Sequence, residues 1–580
     1  MLLLLLLSVF NAVIASVAPR SDYHERLLLR PLPQSALLAS FNFRSNETST
    51  AFEQQNFRHF PRSLGQILQH AHTKELHLRF SWGRWDADSW GQMPWNGARE
   101  GGTGVELWAW VEAGNEEEAF ARWLTLTNAL SGLFCASLNF VDATNTVRPV
   151  MSFRPEGDHT NASRLHLLHG SLPHEVVCTE NLTPFLKLLP CKGKAGISSL
   201  LSGHKLFDAS WQTMSIDVRP VCEKGGECSV EIEQGVDMAL DIERSKRPQD
   251  NPIPRPLPIS EIACDTSKRY NSHDSCFPLA TTADPAWSLQ DIFGRPLKGA
   301  CPLTDTSPDL GYSVCINVPQ ERNITVHPEG QYSESRSTSP ELRCYKPPRN
   351  TDFDLHLPSQ ALPTPLTHPT PPLFASRSIN GHGQERGSIR AVIRNPSPTS
   401  SIEFSYLESL PWFMKPYLHT LRARIVGSPE DPVKEMYYRP AVDRKRGTHL
   451  ELHMLLPPSS TLILTYDFDK AILRYTEYPP DANRGFDAPP AVIRVLASSE
   501  TMGREQDRKG IYVRTTSLLL PLPTPDFSMP YNVIILTSTV MALAFGNIFN
   551  LLVRRFVGFD EVAGRGGLVG ILRAKIQRLK

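Results

Sequence analysis

The 580-residue chain lacks net charge: 60 Lys and Arg balance 60 Asp and Glu. A neutral chain has no electrostatic case for nucleic-acid binding, which depends on basic residues neutralising phosphates. Catalytic signatures are missing as well. There is no Gly-x-Ser-x-Gly elbow, no His-Glu-x-x-His, no Cys-x-x-Cys and no P-loop. GHGQERG (381–387) misses the dinucleotide fingerprint by its spacing. HEVVC and YHERLL set His beside Glu without the second His that a zinc site needs. These absences point away from an enzyme, and the sequence calls for no metal and no cofactor.

Charge is also absent from Asn532 to Val553, a stretch matching the roughly 20 residues a spanning helix requires. The expected transmembrane helix is 531–553. Arg554 and Arg555 follow at once, and the tail 554–580 carries seven Lys and Arg against Asp560 and Glu561. The positive-inside rule puts this tail in the cytoplasm and the bulk of the chain in the lumen or outside, a single-pass type I arrangement. At the other end, MLLLLLLSVFNAVIASVAP combines a leucine run too short to span comfortably with small residues after it. It reads as a secretory signal peptide, residues 1–18.

The lumenal part is expected to be mainly β, most economically β-sandwich-like domains with a few helices. ELHLRFSW and GVELWAWVEA alternate as strands do, within a β-rich domain spanning 19–245. NEEEAFARWLTLTNALSGLFCASLNFV has an acidic start and helical spacing of Phe120, Trp123, Leu124, Leu130, Leu133 and Phe134, so a helix on a sheet is expected there. Residues 246–375 form a Pro-rich and Cys-rich region, bounded by RPQDNPIPRPLP and LPSQALPTPLTHPTPP. A second β-rich domain, 376–525, includes GSIRAVIRN, THLELHMLLP and TLILTYDFD.

Six of the ten tryptophans (82, 85, 90, 95, 108 and 110) crowd one segment with Asp86 and Asp88. They fill a core or interface, or they stack on sugars. The two aspartates would share a strand face, whereas a glycosidase pair must straddle a bond, usually from different elements. Four sequons, at Asn46, Asn161, Asn181 and Asn323, are candidate N-glycosylation sites. All ten cysteines precede the membrane helix, in a compartment that supports disulfides. Cys135 lies in an apolar run and reads as a buried free thiol. If it is unpaired, an odd cysteine remains for a partner or as an exposed thiol. Cys178, in a polar stretch, is the candidate, and a local Cys178–Cys191 loop is the alternative.

Four longer stretches, ALSGLFCASLNFVD, EVVCTENLTPFLKLLPC, ILRYTEYPPDANRGFD and LPTPDFSMPYNVIILT, together resemble the PIG-T-type subunit of the GPI transamidase complex. The resemblance implies a complex of the endoplasmic-reticulum membrane. That complex removes the C-terminal signal of precursor proteins and joins the new end to a GPI lipid. It further implies that catalysis belongs to a separate caspase-like subunit and that this chain is a non-catalytic scaffold among other membrane subunits. By motif position it implies a disulfide from Cys178 to the catalytic subunit, with Cys191 kept within the chain. It also implies that Asn483, Asp526, Ser528 and Asn532 help hold the GPI lipid, the last three at the lumenal mouth of the membrane helix. An aspartate suits a lipid ammonium, and amide or hydroxyl groups suit sugar and phosphate oxygens. Without a lipid, Asp526 and Ser528 would cap a helix and Asn483 would make a turn. The competing class is a membrane-anchored lectin or glycosidase that uses the tryptophan segment.

Overall fold

The computed structural model describes residues 22–159, 162–222, 228–247, 262–264, 276–278, 285–304, 311–336, 341–360, 368–381, 383, 385–479, 481–496, 510–523, 528–554 and 575–578. The chain divides into two compact units, residues 1–522 and 523–580. Signal-peptide residues 1–18 lie outside the described residues.

The first unit is built on an eleven-stranded sheet. In chain order its first strands are β1 (Tyr23–Leu32), β2 (Ala36–Thr48), β3 (Thr73–Gly83), β4 (Gly104–Glu112), β5 (Thr146–Val147), β6 (Leu165–Leu172), β7 (Trp211–Cys222) and β8 (Cys228–Asp241). They lie side by side in the order β1, β2, β8, β7, β3, β4, β6, β5. Their sequences alternate. In β3, Leu76, Leu78 and Phe80 enter one core, while Glu75, His77, Arg79 and Ser81 point the other way. The apolar face packs on helices, among them Glu116–Phe134. That helix starts where expected: the Asn115 side chain accepts from Glu118 N at 2.8 Å, and three glutamates fill its first turn. It buries Trp123, Leu126, Leu130 and Phe134 and ends at Cys135, whose φ is 50°.

The Pro- and Cys-rich region does not stand apart from this sheet. Tyr312–Asn317 pairs in parallel with β1, and Leu342–Lys346 and Ser333–Arg336 continue the sheet beyond it. Trp287, Phe353, Leu355 and Leu357 complete the same core. Disulfides Cys191–Cys301, Cys222–Cys228 and Cys315–Cys344 hold this half together. Cys264 is also disulfide-bonded and stands opposite Cys276 across a strand pair.

The rest of the unit is a sandwich of two five-stranded sheets. Phe374–Asn380, Arg386–Arg394 and Thr461–Lys470 lead one sheet, and Thr448–Leu456, Ile402–Leu410 and Val492–Leu496 form the middle of the other. Phe404, Leu452, Met454, Leu462, Leu464 and Ile493 meet between them. Tyr512 and Leu407 of the sandwich join Trp108 and Phe153 of the first half in one buried cluster. In the second unit the helix Ser528–Val553 contains one segment, Met529–Val553, long and apolar enough to cross a membrane.

Candidate functional site

The loop between β6 and the helix Thr179–Leu188 carries Cys178 at the helix N-cap. Cys178 N donates to Asn181 Oδ1 at 2.9 Å. The other end of that amide reaches across: Asn181 Nδ2 donates to Phe134 O at 3.0 Å and contacts Cys135 O at 3.4 Å. Ser137 N donates to Glu175 Oε1 at 2.8 Å. Two fasteners thus tie the Cys178 loop to the end of the helix that carries Cys135. Among the described residues the free cysteines are these two, Cys178 half-buried and Cys135 exposed. Exposure of Cys135 corrects the expectation of a buried thiol: the left-handed turn at the helix end swings its side chain outward from an otherwise apolar run. Cys191 is committed to Cys301, which removes the local Cys178–Cys191 loop.

Ser137 and Glu175, the second of these fasteners, line a cavity of about 510 Å³. Its walls come from both halves, Ser137, Phe140, Thr144, Asn145 and residues 171–175 on one side and residues 409–411, Pro479, Asp481, residues 484–487 and Pro489 on the other. At its edge, His174 Nδ1 lies 2.8 Å from Asp487 Oδ2, and Arg484 Nη1 lies 3.0 Å from the same oxygen. Sequence reasoning missed this cluster, because residues about 310 positions apart carry no joint signal.

The proposed lipid residues fall in both units. Asn483 is exposed in a turn, its N–H donating to Asp481 Oδ1 at 3.2 Å just before Gly485, whose φ is 100°. Asp526 lies outside the described residues, and Ser528 is the first residue of the apolar helix. Asn532 is exposed in the second turn of that helix.

The sequons differ in access. Asn323 is exposed, Asn46 is half-buried within β2, and Asn161 lies outside the described residues. Asn181 is 1% exposed with both ends of its amide bonded, so Nδ2 has no room for a glycan in the folded chain.

The tryptophans are largely spent on packing. Trp85, Trp90 and Trp211 pack edge to face at 5.0 Å. Trp95 lies under Arg99 and donates to Ser40 Oγ at 2.9 Å, and Trp108 stacks on His77 at 4.6 Å. Only Trp82 of the six is a largely exposed ring, at 46%. Asp86 and Asp88 do not share a strand face. Asp86 caps the short turn Ala87–Trp90 through Ser89 N, and Asp88 sits inside that turn.

The polar face of the first sheet is a buried ionic layer. His77 bridges Asp217 (2.6 Å) and Glu75 (2.9 Å), Arg79 also holds Asp217, and Arg219 reaches Glu231, Glu233 and Glu156. Burial alone would lower the His77 pKa, but Glu156, Asp217 and Glu75 raise it to about 9. Burial likewise opposes ionisation of Glu75, and hydrogen bonds from His159 and His77 overcome it, bringing the carboxyl to about 2. Glu100 keeps a pKa of about 7, because burial outweighs the Arg514 charge. The clustering serves packing and pairing; His77, Glu75, Asp217 and the carboxylates that Arg219 reaches are paired within the layer, and Glu100 accepts from Gly102 N.

The chain thus combines a β-rich body, two free thiols among the described residues, and one helix long and apolar enough to cross a membrane, the features of a membrane-anchored component. Comparison with known proteins gives the family. Residues 5–577 match the family described as "Gpi16 subunit, GPI transamidase component", and the chain belongs to it. It is 39% identical to the GPI transamidase component GPI16 of Saccharomyces cerevisiae, over 96% of this chain and 92% of that one. Identity to the PIG-T homolog of Schizosaccharomyces pombe is 36%, over 96% of this chain and 94% of that one. Identity to the Homo sapiens transamidase component PIGT is 32%, over 97% of this chain and 95% of that one.

Proposed function

We propose that the chain is the scaffold subunit of a GPI transamidase in the endoplasmic-reticulum membrane, its bulk lumenal and its C-terminus cytoplasmic. In this reading Cys178 forms a disulfide with the caspase-like catalytic subunit. Asn483, Asp526, Ser528 and Asn532 help hold the GPI lipid that is joined to precursor proteins, and further membrane subunits complete the complex. Family membership supports the complex. The observation that carries the covalent link is the state of the thiols. Cys178 is left free at a half-buried position while its neighbour Cys191 is closed on Cys301. A covalent tether keeps two domains at high effective concentration even across a modest interface.

Electrophoresis of the tagged chain, captured from membranes with thiols blocked at lysis, tests this. A larger species that collapses on reduction, is missing in Cys178→Ser and releases the caspase-like subunit is the expected result. A wild-type chain that runs alone under both conditions would remove the covalent scaffold.

A further inference from the structure

We infer that the cavity beside Cys178 is the seat of an extended, uncharged, apolar segment of the chain bonded to Cys178, close in sequence to that chain's cysteine. This inference rests on the proposed Cys178 linkage and says where the partner's backbone goes next.

Three observations converge. The first is composition: Phe140, Leu172, Leu410 and Phe486 line the cavity together with prolines, including Pro411 and Pro489. Proline offers no N–H, so such a wall accepts apolar side chains rather than a new strand. At about 510 Å³ the cavity falls within the range of pockets that take small ligands or anchor side chains. The second is charge. Asp487 already holds His174 and Arg484, Glu175 accepts from Ser137 N, and Asp481 accepts from the N–H groups of Asn483 and Arg484, so the three lining carboxylates have partners and do not require a cation from the occupant.

The third is reach. His174 lines the cavity and Cys178 lies four residues on, at most about 14 Å of extended chain. Disulfide-bonded Cα atoms sit about 5.5–6 Å apart. A partner segment about six residues from its own cysteine therefore spans the distance. Large apolar side chains stand exposed along this path: Phe140 at 66% and Val176 at 64%. Exposed rings and branched chains beside an apolar cavity are the pattern of a surface that a partner covers.

The test uses the full-length chain in its detergent-solubilised complex. A photo-crosslinking phenylalanine analogue replaces Phe140, and the crosslinked peptide is identified by mass spectrometry. The expected peptide lies within about ten residues of the partner's cysteine bonded to Cys178. Alongside it, Phe140→Asp with Val176→Asp should slow formation of the disulfide-linked species at least tenfold. Val426→Asp, another exposed apolar position, in the sandwich (57%), should leave the rate unchanged.

Crosslinks to lipid, to a second copy of this chain, or to distant parts of the partner would overturn the inference. So would wild-type rates in the double variant, or equal slowing by Val426→Asp. In each of these cases a normal Cys178-linked species would leave the covalent link standing. Absence of that species from wild type would overturn the link and the inference together.

Discussion

Two halves of the first unit cover their sheets in different ways. In the sandwich formed by residues 373–522, apolar inner faces meet and buried ion pairs are few among the described residues: Arg377–Glu408, with Tyr406 also bonded to that carboxylate, and His449–Glu451. No cysteine follows Cys344, so this half holds its fold without disulfides. The N-terminal half instead buries both faces of one sheet, an apolar face under helices and an ionic face with at least six carboxylates. It also carries every cysteine. Buried charge is weak support for stability, because desolvation offsets much of the attraction, but mispairing it is costly. The half that carries the buried charge and the disulfides is also the half that carries the free thiols Cys135 and Cys178. The sandwich contributes one wall of the cavity beside it.

The contrast can be broken at four points. Arg377→Ala should have the largest effect, lowering stability by about 3–5 kcal/mol because Glu408 is left charged and unpaired in an apolar setting. Segment-resolved hydrogen exchange should show the loss first in the sandwich strands. Opening Cys191–Cys301, which spans 110 residues, by a double Cys→Ser change should cost about 2–5 kcal/mol. Exchange should then rise in the N-terminal half, with the sandwich close to its wild-type protection.

Asn181→Ala should cost about 1–3 kcal/mol, since Cys178 N–H and the Phe134 carbonyl lose their shared partner. Labelling of Cys178 by a maleimide should accelerate, while the glycan mass of the chain stays unchanged. A mass drop equal to one glycan would contradict the buried placement of Asn181.

The smallest effect expected is a change of slope with pH. Among the described residues, the carboxyls raised by burial lie in the first half: Glu25 and Glu100 to about 7, and Glu156, Asp237 and Asp354 upward. In the sandwich, Glu451, Asp443 and Glu477 are lowered instead. A raised carboxyl binds its proton more tightly in the folded state. Its contribution is full below the unfolded value near 4.5 and is lost as pH rises through about 7. Stability of the first half should therefore fall between those values, and Glu100→Gln should flatten part of the slope. An unchanged slope in the variant, read from thermal midpoints across that window, would contradict the assignment.

Local pattern made much of this architecture legible. The acidic start and apolar spacing at 115–134 correspond to the helix Glu116–Phe134. THLELHMLLP and TLILTYDFD correspond to Thr448–Leu456 and Thr461–Lys470, and the uncharged run before Arg554 lies in the apolar helix. What stayed hidden is nonlocal. Alternation put Glu75, His77 and Arg79 in a strand, but nothing in β3 itself says that residues near 98 and 156 will cover that polar face. Tyr312–Asn317 joins β1 from far along the chain, so the Pro- and Cys-rich region carries no sign of belonging to the first sheet. Cys191 and Cys301 likewise meet only through the fold, which is why residue types alone left the partner of Cys191 open. For the candidate site, the sequence marked Cys178 and Asn483, whereas the cavity near both required the two halves to be in place.

Disulfide mapping of the intact complex, with free thiols alkylated before digestion, tests the central claim most directly. The account predicts peptides joining Cys191 to Cys301, Cys222 to Cys228 and Cys315 to Cys344, with Cys135 alkylated and Cys178 joined to a peptide of the caspase-like subunit. A peptide joining Cys178 to Cys191 or to Cys135, with the partner's cysteines all accounted for elsewhere, would contradict it.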